Sequence, residues 1–353
     1  MGTESIEVSF LSIFALITFF VFLLVSKYSH GIKDGVLLDK DFSKPQAFHN
    51  TPITRSGGIA VIISMSIFFY IYYLLYTKVL YNYIFISFSV FAIGFLDDLR
   101  INLKPLSRLT IMVLLLFACI YMLPIKILNV DIPFLIPLMS SNMFSSIFVL
   151  LCFLFVINGA NLIDGFNGLL TINLIIINII LAYINIENGN LEFSILIISQ
   201  IIILLSFLLF NFPSAKIFLG DSGAYTMGAL AALNTITTNN LNPNISSFFF
   251  CTLLFYLFFE VFFSFLRKIL QNKSPIYPDD RHLHMLSFYK ISSSYGKDKG
   301  NYLNSIIINL FYLVLIIPGL YLAYDPQLSR YWFFILLLIY LLIYSRLYRL
   351  TKN

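Results

Sequence analysis

Long apolar stretches constrain the fold of this chain more than any other feature. A helix needs about 20 mostly apolar residues to cross the hydrocarbon core of a bilayer, and eleven stretches of the 353-residue chain come near that length. They occupy residues 6–26, 57–76, 79–96, 109–123, 144–157, 169–186, 193–212, 224–238, 245–266, 303–324 and 331–350. The sequence therefore predicts an all-α polytopic membrane protein with about 11 transmembrane helices, the first of them a retained anchor.

The composition excludes several other classes of protein. Hydrophobic residues make up 59% of the chain and charged residues 11%, whereas a soluble domain is about 25% charged. A soluble enzyme, a disordered tail and a DNA-binding domain are excluded, and we expect no nucleic-acid partner. The three cysteines, Cys119, Cys152 and Cys251, lie in apolar stretches without paired spacing, so neither a disulfide framework nor a zinc site is indicated.

The distribution of basic residues predicts the orientation. Nineteen of the 22 Lys and Arg residues fall in one alternating set of loops, and cytoplasmic loops are enriched in Lys and Arg. We therefore expect the N-terminus outside, the C-terminus in the cytoplasm and one transmembrane domain over residues 1–353. The longer polar segments are then cytoplasmic loops: residues 27–56, 98–108, 158–168, 213–223 and 267–302. Long loops on one face indicate an active site on that face.

Two adjacent acids, Asp97 and Asp98, end the third apolar stretch. A carboxylate within or beside a membrane span is costly and usually functional. Neighbouring carboxylates also repel each other unless a cation or a proton neutralises them. The alternative interpretation is a solvated helix end.

A polar cluster follows the fifth apolar stretch. Asn158, Asn161, Asp164 and Asn167 recur at every third residue, a spacing that keeps them near one face of a helix. Glycines between them allow a polar ligand to approach the backbone. The alternative is a capped helix start, with Asp164 or Asn167 as the N-cap.

A third acid, Asp221, lies between Gly220 and Gly223 just before another apolar stretch. Its carboxylate can bind a metal ion, while the N-terminus of the following helix attracts anions. Here too, the alternative is a simple N-cap.

The last polar loop carries Arg281, His282 and His284. Alternate spacing puts the two histidines on one side of an extended segment. Together with Arg281 they can bind a phosphate. Further Cys or His ligands for a zinc site are missing. His49 and Arg55 in the first loop form a further candidate element, and the role of Glu260, inside the ninth stretch, stays open.

These clusters together describe a Mg²⁺–phosphate site. Carboxylates, amides and basic groups converge on the predicted cytoplasmic face, which suits a magnesium ion holding phosphates. The substrate should carry phosphates, and a lipid is the natural second substrate. An ion-coupled transporter with Asp164, Asp221 and Glu260 as coupling acids is the alternative, although such acids usually lie near the midplane of repeated halves.

The motifs resemble those of the polyprenyl-phosphate N-acetylhexosamine-1-phosphate transferase superfamily, the bacterial glycosyltransferase family 4. The resemblance runs from about residue 44 to about residue 289. It is carried by residues 55–58 (Arg-Ser-Gly-Gly), 95–98 (Phe-Leu-Asp-Asp), 158–168, 218–223 (Phe-Leu-Gly-Asp-Ser-Gly) and 282–284 (His-Leu-His). It implies transfer of a sugar-1-phosphate from a UDP-sugar to undecaprenyl or another polyprenyl phosphate, with release of UMP, in a bacterial inner membrane.

The resemblance also implies roles for individual residues. Asp221 matches a direct ligand of Mg²⁺, for which Mn²⁺ can substitute. The catalytic residues are expected to be Asp97, Asp98, His282 and His284. The substrate-binding residues are expected to be Asn158, Asn161, Asp164, Asn211, Phe218, Arg55 and Arg281, with Phe218 stacked on the uracil and Asn211 near the nucleotide phosphates. The resemblance further suggests a homodimer.

Three positions differ from the usual motifs of the superfamily and indicate which of its branches this chain resembles most. Asn167 stands where many relatives have an aspartate, so we expect Asn167→Asp to be tolerated. Met285 replaces a histidine common in the N-acetylglucosamine branch, and the first loop reads Pro-Ile-Thr-Arg at residues 52–55, where relatives often read Pro-Thr-Pro-Arg. The chain is therefore expected to lie closer to the transferases of O-antigen and other surface glycans than to the peptidoglycan enzyme. The sugar itself stays open.

Overall fold

The computed structural model describes residues 3–29, 31, 35–39, 52–101, 104–274 and 279–352, with side chains from residue 9 to residue 351. His49 and most of the predicted 27–56 loop lie outside the described residues. The helices are α1 Thr3–Tyr28, α2 Gly57–Tyr76, α3 Tyr81–Asp98, α4 Pro105–Met122, α5 Ile136–Met139, α6 Asn142–Ile163, α7 Leu169–Glu187, α8 Leu191–Asn211, α9 Gly220–Leu241, α10 Ser247–Leu253, α11 Phe255–Leu270, α12 Leu283–Tyr295, α13 Lys297–Tyr321 and α14 Pro326–Lys352.

Every predicted apolar stretch falls on a helix, and the chain is a multi-pass membrane protein. Among the described residues, eight helices are long and apolar enough to span a membrane. A ninth span results if α10 and α11, which are bent by 76° at Leu254, count as one. The predicted third and eighth spans coincide with α3 and α9, which are not among these eight. The count of eleven therefore stays a prediction.

The central helix of the bundle is α9, which packs against α2, α3, α6 and α7. Its sequence is rich in Gly, Ala, Thr and Asn, and nearly all of its residues are buried. Small residues let helix backbones approach closely inside a membrane, so the neighbouring helices enclose α9. Because protein and not lipid surrounds it, α9 can have a low hydropathy.

Buried amides tie α9 to its neighbours. Asn234 donates to Asn178 of α7 over 3.0 Å and to Gln200 of α8 over 2.8 Å. All three side chains are buried. Since no water in the bilayer core can satisfy these groups, the amides must bond to one another, and they fix the relative positions of three helices.

The described parts of the five predicted loops meet at one end of the bundle. Arg108 contacts Asp221 and Asn167 donates to the Pro213 carbonyl, while the backbone N–H of Asn167 donates to Asn301. The other set of connections meets at the opposite end, for example in the pair of Lys78 with Glu192. We refer to these as the site end and the far end.

The structure corrects two details of the prediction. The loops contain more helix than expected, since α6 continues to Ile163, α9 begins at Gly220 and α12 lies within residues 267–302. Hydropathy marks where a chain leaves hydrocarbon, whereas helical hydrogen bonding continues into the polar region. The fold also includes a small antiparallel ribbon of β1 Leu38–Asp39 and β2 Ile53–Thr54.

The ribbon continues onto the segment before α9. Thr54 forms a parallel bridge with Ile217. The N–H groups of Gly57 and Gly58 donate to the carbonyls of Phe218 and Leu219 over 2.9 and 2.8 Å. The first loop is thereby fastened to the segment that carries Asp221.

Candidate active site

Asp98 caps α9 from a different helix. Its carboxylate accepts the N–H groups of Asp221 and Ser222, both over 2.9 Å, and the Ser222 hydroxyl over 2.5 Å. Asp98 is 1% exposed. These N–H groups have no partner within the helix, and a negative charge is favourable at this end of the helix dipole. The simpler interpretation of Asp221 as the N-cap is wrong, because Leu219 occupies that position.

Glycine at 220 makes this cap feasible. Gly220 has φ +76°, and a Cβ there would lie 2.7 Å from Asp98 Oδ2. On the other helix, a Cβ at Gly94 would lie 2.5 Å from the Ser222 nitrogen. The α3 and α9 backbones therefore meet only because both helices lack a side chain at the contact.

Gly220→Ala is expected to lower activity at least tenfold and to reduce thermal stability. A matched control is Gly189→Ala at the far end, where φ is +78° and nothing lies within 4 Å of the added carbon. Both changes carry the strain of an L-residue at positive φ, about 1–2 kcal/mol, but only the first displaces Asp98. Equal losses in thermal unfolding and turnover for the two variants would contradict the steric explanation.

Asp97, Arg108 and Asp221 form a chain of charges beside this cap. Arg108 pairs with Asp97, and its Nη1 lies 3.8 Å from Asp221 Oδ2. Asp221 is 21% exposed, whereas Asp97 is 11% exposed. The sequence did not lead us to predict a role for Arg108. A basic residue in the first turn of α4 interacts unfavourably with the helix dipole, and this feature could have indicated an acidic partner.

Arg55 joins the same cluster from the ribbon. Its Nη2 lies 2.7 Å from Asp39 Oδ2. Burial alone would lower the pKa of the Arg55 guanidinium, but the charges of Asp221 and Asp39 outweigh that effect and raise the pKa above its ordinary value. Asp39 is a second residue that the sequence analysis missed, since nothing in its local pattern marks it.

The polar cluster at the end of α6 reaches the acids from a third side. Asp164 directly follows the last residue of α6 and is the C-cap, not an N-cap. Loss of hydration and the charge of Asp221 raise the pKa of the Asp164 carboxyl, while Arg55 opposes the rise. Asn161 donates to the Tyr225 hydroxyl over 3.4 Å, and Asn158 donates to the carbonyl of Leu154.

Asn211 joins two of the predicted loops. Its Oδ1 accepts the N–H of Gly168 over 2.8 Å, and its Nδ2 donates to the carbonyl of Ile217 over 3.1 Å. Asn211 is buried. The geometry gives it a role in positioning the loops, in addition to the predicted contact with nucleotide phosphates. Phe218, the predicted stacking residue, is half-buried beside the Asp221 segment.

The structure changes the expectation for Asn167. Its Nδ2 donates to the Pro213 carbonyl over 2.9 Å, and an aspartate would set two acceptors against each other. Asn167→Asp is therefore expected to lower turnover a few-fold, because one lost hydrogen bond is worth about 1 kcal/mol. Asn167→Gln, which keeps the donor, serves as the comparison in the same turnover measurement. Unchanged turnover in Asn167→Asp would restore the expectation from sequence.

The histidine motif is buried beneath the loops. His282 and His284 are each 2% exposed, and their rings stack in parallel with centroids 5.4 Å apart. Burial lowers the pKa of His284 to about 3, so this imidazole is neutral at physiological pH. The predicted extended segment ends at His282, which has an extended backbone as the N-cap of α12, whereas His284 lies in the first helical turn.

Arg281 points toward α14. Its guanidinium lies over the ring of Tyr348, 5.9 Å from the centroid, and donates to Gln271 over 3.3 Å. It contacts these residues instead of joining the Arg55–Arg108 cluster.

The carboxylates fit a magnesium ion that is shared with a substrate. Within the described residues, no group of three His, Cys, Asp or Glu side chains could hold a metal ion. Mg²⁺ usually takes only one or two protein carboxylates together with waters and substrate phosphates. Asp221 can supply one carboxylate and Asp164 a second, whereas both oxygens of Asp98 are occupied by α9.

Comparisons with known proteins point to one family. Residues 80–239 match the model for glycosyl transferase family 4. The chain is 24% identical to undecaprenyl-phosphate alpha-N-acetylglucosaminyl 1-phosphate transferase of Thermotoga maritima over 78% of this chain and 80% of that one.

Two phospho-N-acetylmuramoyl-pentapeptide-transferases are also similar. The one from Streptococcus thermophilus is 32% identical over 41% of this chain and 44% of its own length. The one from Clostridium perfringens is 33% identical over 43% of this chain and 50% of its own length. The chain thus spans half or less of these two relatives. These matches confirm the resemblance of this chain to the polyprenyl-phosphate sugar-1-phosphate transferases of glycosyl transferase family 4.

Proposed function

We propose that this protein transfers an N-acetylhexosamine-1-phosphate from a UDP-sugar to polyprenyl phosphate, with release of UMP. The observation that carries the proposal is the convergence of Asp98, Asp221, Asp97 and Arg108 at one end of the bundle. The names of the relatives support the same reaction class. Initiation of an O-antigen or a similar surface glycan is the role that we infer for the product.

Electrostatics suit two anionic substrates. Arg55 and Arg108 lie beside Asp221, so a diphosphate that approaches this acid meets two guanidinium groups. Asp221 and Asp164 would hold a Mg²⁺ ion, which would supply further positive charge for the phosphates. Positioning and charge stabilisation perform most of the work in phosphoryl transfer.

In the proposed reaction, an oxygen of the lipid phosphate attacks the sugar-bearing phosphorus directly. A phosphate monoester has a second pKa near 6, so the acceptor is mostly ionised at pH 7 and needs little help from a base. Asp97 takes any remaining proton and sets the orientation of Arg108 through their ion pair. Asp98 holds the first turn of α9, and therefore Asp221, in place. A covalent aspartyl-phosphate is the competing route.

The proposed reaction also implies where the protein lies and which way its site faces. The polyprenyl tail stays in the bilayer of a bacterial plasma membrane while its phosphate reaches the site end, which faces the cytoplasm. The resemblance to the transferase superfamily further suggests a homodimer as the functional unit.

The decisive experiment measures UMP release by the purified protein in lipid nanodiscs. A panel of UDP-N-acetylhexosamines is supplied with and without undecaprenyl phosphate, in Mg²⁺, in Mn²⁺ and in EDTA. We expect release from one donor that requires the lipid and the metal, with a lipid-linked diphosphosugar as co-product. Lipid-independent UMP release, or no release from any donor, would contradict the proposal.

A further inference from the structure

Glu260 is a buried acid that the proposed reaction does not use. It lies in the middle of α11 and is 1% exposed. Its Oε1 accepts the Leu283 N–H over 3.0 Å and faces His282 Nδ1 at 3.2 Å, while its Oε2 accepts the Tyr340 hydroxyl over 2.6 Å. One carboxylate therefore joins α11 to the start of α12 and to α14.

His282 is held between two carboxylates. Its Nδ1 faces Glu260 and its Nε2 lies 3.3 Å from Asp279 Oδ1. An ionised carboxylate only accepts hydrogen bonds, so each ring nitrogen of His282 faces an acceptor. Arg267 also pairs with Asp279 over 2.8 Å.

The cluster connects to the active site through packed side chains. The ring of His284 meets Phe166 edge-on, with centroids 5.8 Å apart, and Phe166 follows Asp164 by two residues. Asn304 of α13 donates to the His284 carbonyl over 2.9 Å. A shift of residues 279–284 would therefore be transmitted to the segment that carries Asp164.

We propose that Glu260 is the positioning residue of the histidine segment, residues 279–284. Together with Asp279 it clamps His282 by both ring nitrogens, and through Tyr340 it makes α14 part of the active-site support. This inference rests on the proposed function for its kinetic test but not for its chemical test. The other titratable or charged groups around the clamp are Tyr256, Arg267 and Lys268 of α11, His284 of α12, and Tyr340 and Tyr344 of α14.

The kinetic test compares Glu260→Gln with Glu192→Gln. Glu192 is a matched control, because it also bonds a tyrosine hydroxyl and a cation but lies at the far end. We expect Glu260→Gln to raise the KM for the UDP-sugar about tenfold with a smaller change in kcat, and Glu260→Asp to recover part of the loss. The control should match wild type.

The chemical test needs no turnover. Diethyl pyrocarbonate modifies neutral, accessible imidazole, and peptide mass spectrometry reports the rate at His282. We expect this rate to rise at least fivefold in Glu260→Gln and to stay at the wild-type value in Glu192→Gln. Tyr340→Phe, which removes only the link to α14, should give an intermediate rate.

The outcomes separate this inference from the proposed function. Wild-type kinetics and wild-type His282 labelling in Glu260→Gln would overturn the positioning role. An inactive wild-type protein whose His282 labelling still depends on Glu260 would overturn only the proposed reaction. A uniform rise in labelling of all histidines would indicate general unfolding and also contradict the specific role.

Discussion

Replacing Asp221 by asparagine is expected to lower kcat about a thousandfold while the protein still inserts and folds. The amide has the same shape as the carboxylate, and the backbone N–H of residue 221 still donates to Asp98. The loss is electrostatic, because the removed charge is the one that faces Arg108 and is available to a metal ion. A thousandfold change in rate corresponds to about 4 kcal/mol of transition-state stabilisation.

Single-turnover kinetics over a Mg²⁺ titration would measure this effect. Asp325→Asn is the matched control, since Asp325 accepts two N–H groups at the start of α14 and lies at the far end. Asparagine is also a good N-cap, so the control should keep wild-type turnover. Turnover of Asp221→Asn within tenfold of wild type at ordinary Mg²⁺ would overturn the assignment of Asp221 as the metal ligand.

Asp98→Asn and Asp97→Asn should have different effects on UDP-sugar affinity and on stability, although the two acids are adjacent in the sequence. Each is expected to lower kcat about a hundredfold or more. Asp98→Asn should also weaken UDP-sugar binding and lower the unfolding temperature. Asp97→Asn should leave donor affinity within a few-fold of wild type.

The difference follows from the hydrogen bonds of Asp98. Its two oxygens accept three donors from α9. Asparagine has one acceptor oxygen, and its NH₂ group would face an N–H or the Ser222 hydroxyl. A buried donor left unpaired costs about 1–3 kcal/mol, and the displaced turn carries Asp221. Asp97 bonds only to Arg108 in this cluster, so its loss leaves the turn intact.

Calorimetry of UDP-sugar binding, thermal unfolding and single-turnover rates on both variants would test this difference. Ser222→Ala, which removes one of the three donors to Asp98, should give a weaker form of the Asp98→Asn phenotype. Equal losses of donor affinity in both aspartate variants would show that Asp97 also belongs to the nucleotide–metal site.

Much of the fold could be predicted because hydropathy reports a strong constraint. Backbone polar groups in hydrocarbon must be satisfied within a helix, so each long apolar stretch is helical, and the described parts of the basic loops lie at one end. The features that the sequence did not predict are those that hydropathy does not report. The bend at Leu254 and the β1–β2 ribbon leave no mark in hydropathy, and α9 is enclosed by protein instead of lipid.

The site residues were less predictable than the helices. Asp97, Asp98, Asp164 and Asp221 stood out because acids are rare near membrane spans. Their partners did not, since the cap of α9 joins residues 98 and 222, which are 124 positions apart. The pairing of Arg55 with Asp39 is likewise a property of packing. A single sequence shows which residues are unusual, not which of them meet.

The low hydropathy of α9 has a consequence for biogenesis. Insertion scales penalise polar residues strongly at the centre of a span, and α9 places Asn234 and Thr235 near its middle. We therefore expect α9 to insert poorly by itself and to enter the membrane once α7 and α8 can receive its Asn234 amide. Changes to Asn178 or Gln200 should then appear first as reduced yield of inserted protein, before any effect on catalysis, although neither residue lies near the acids.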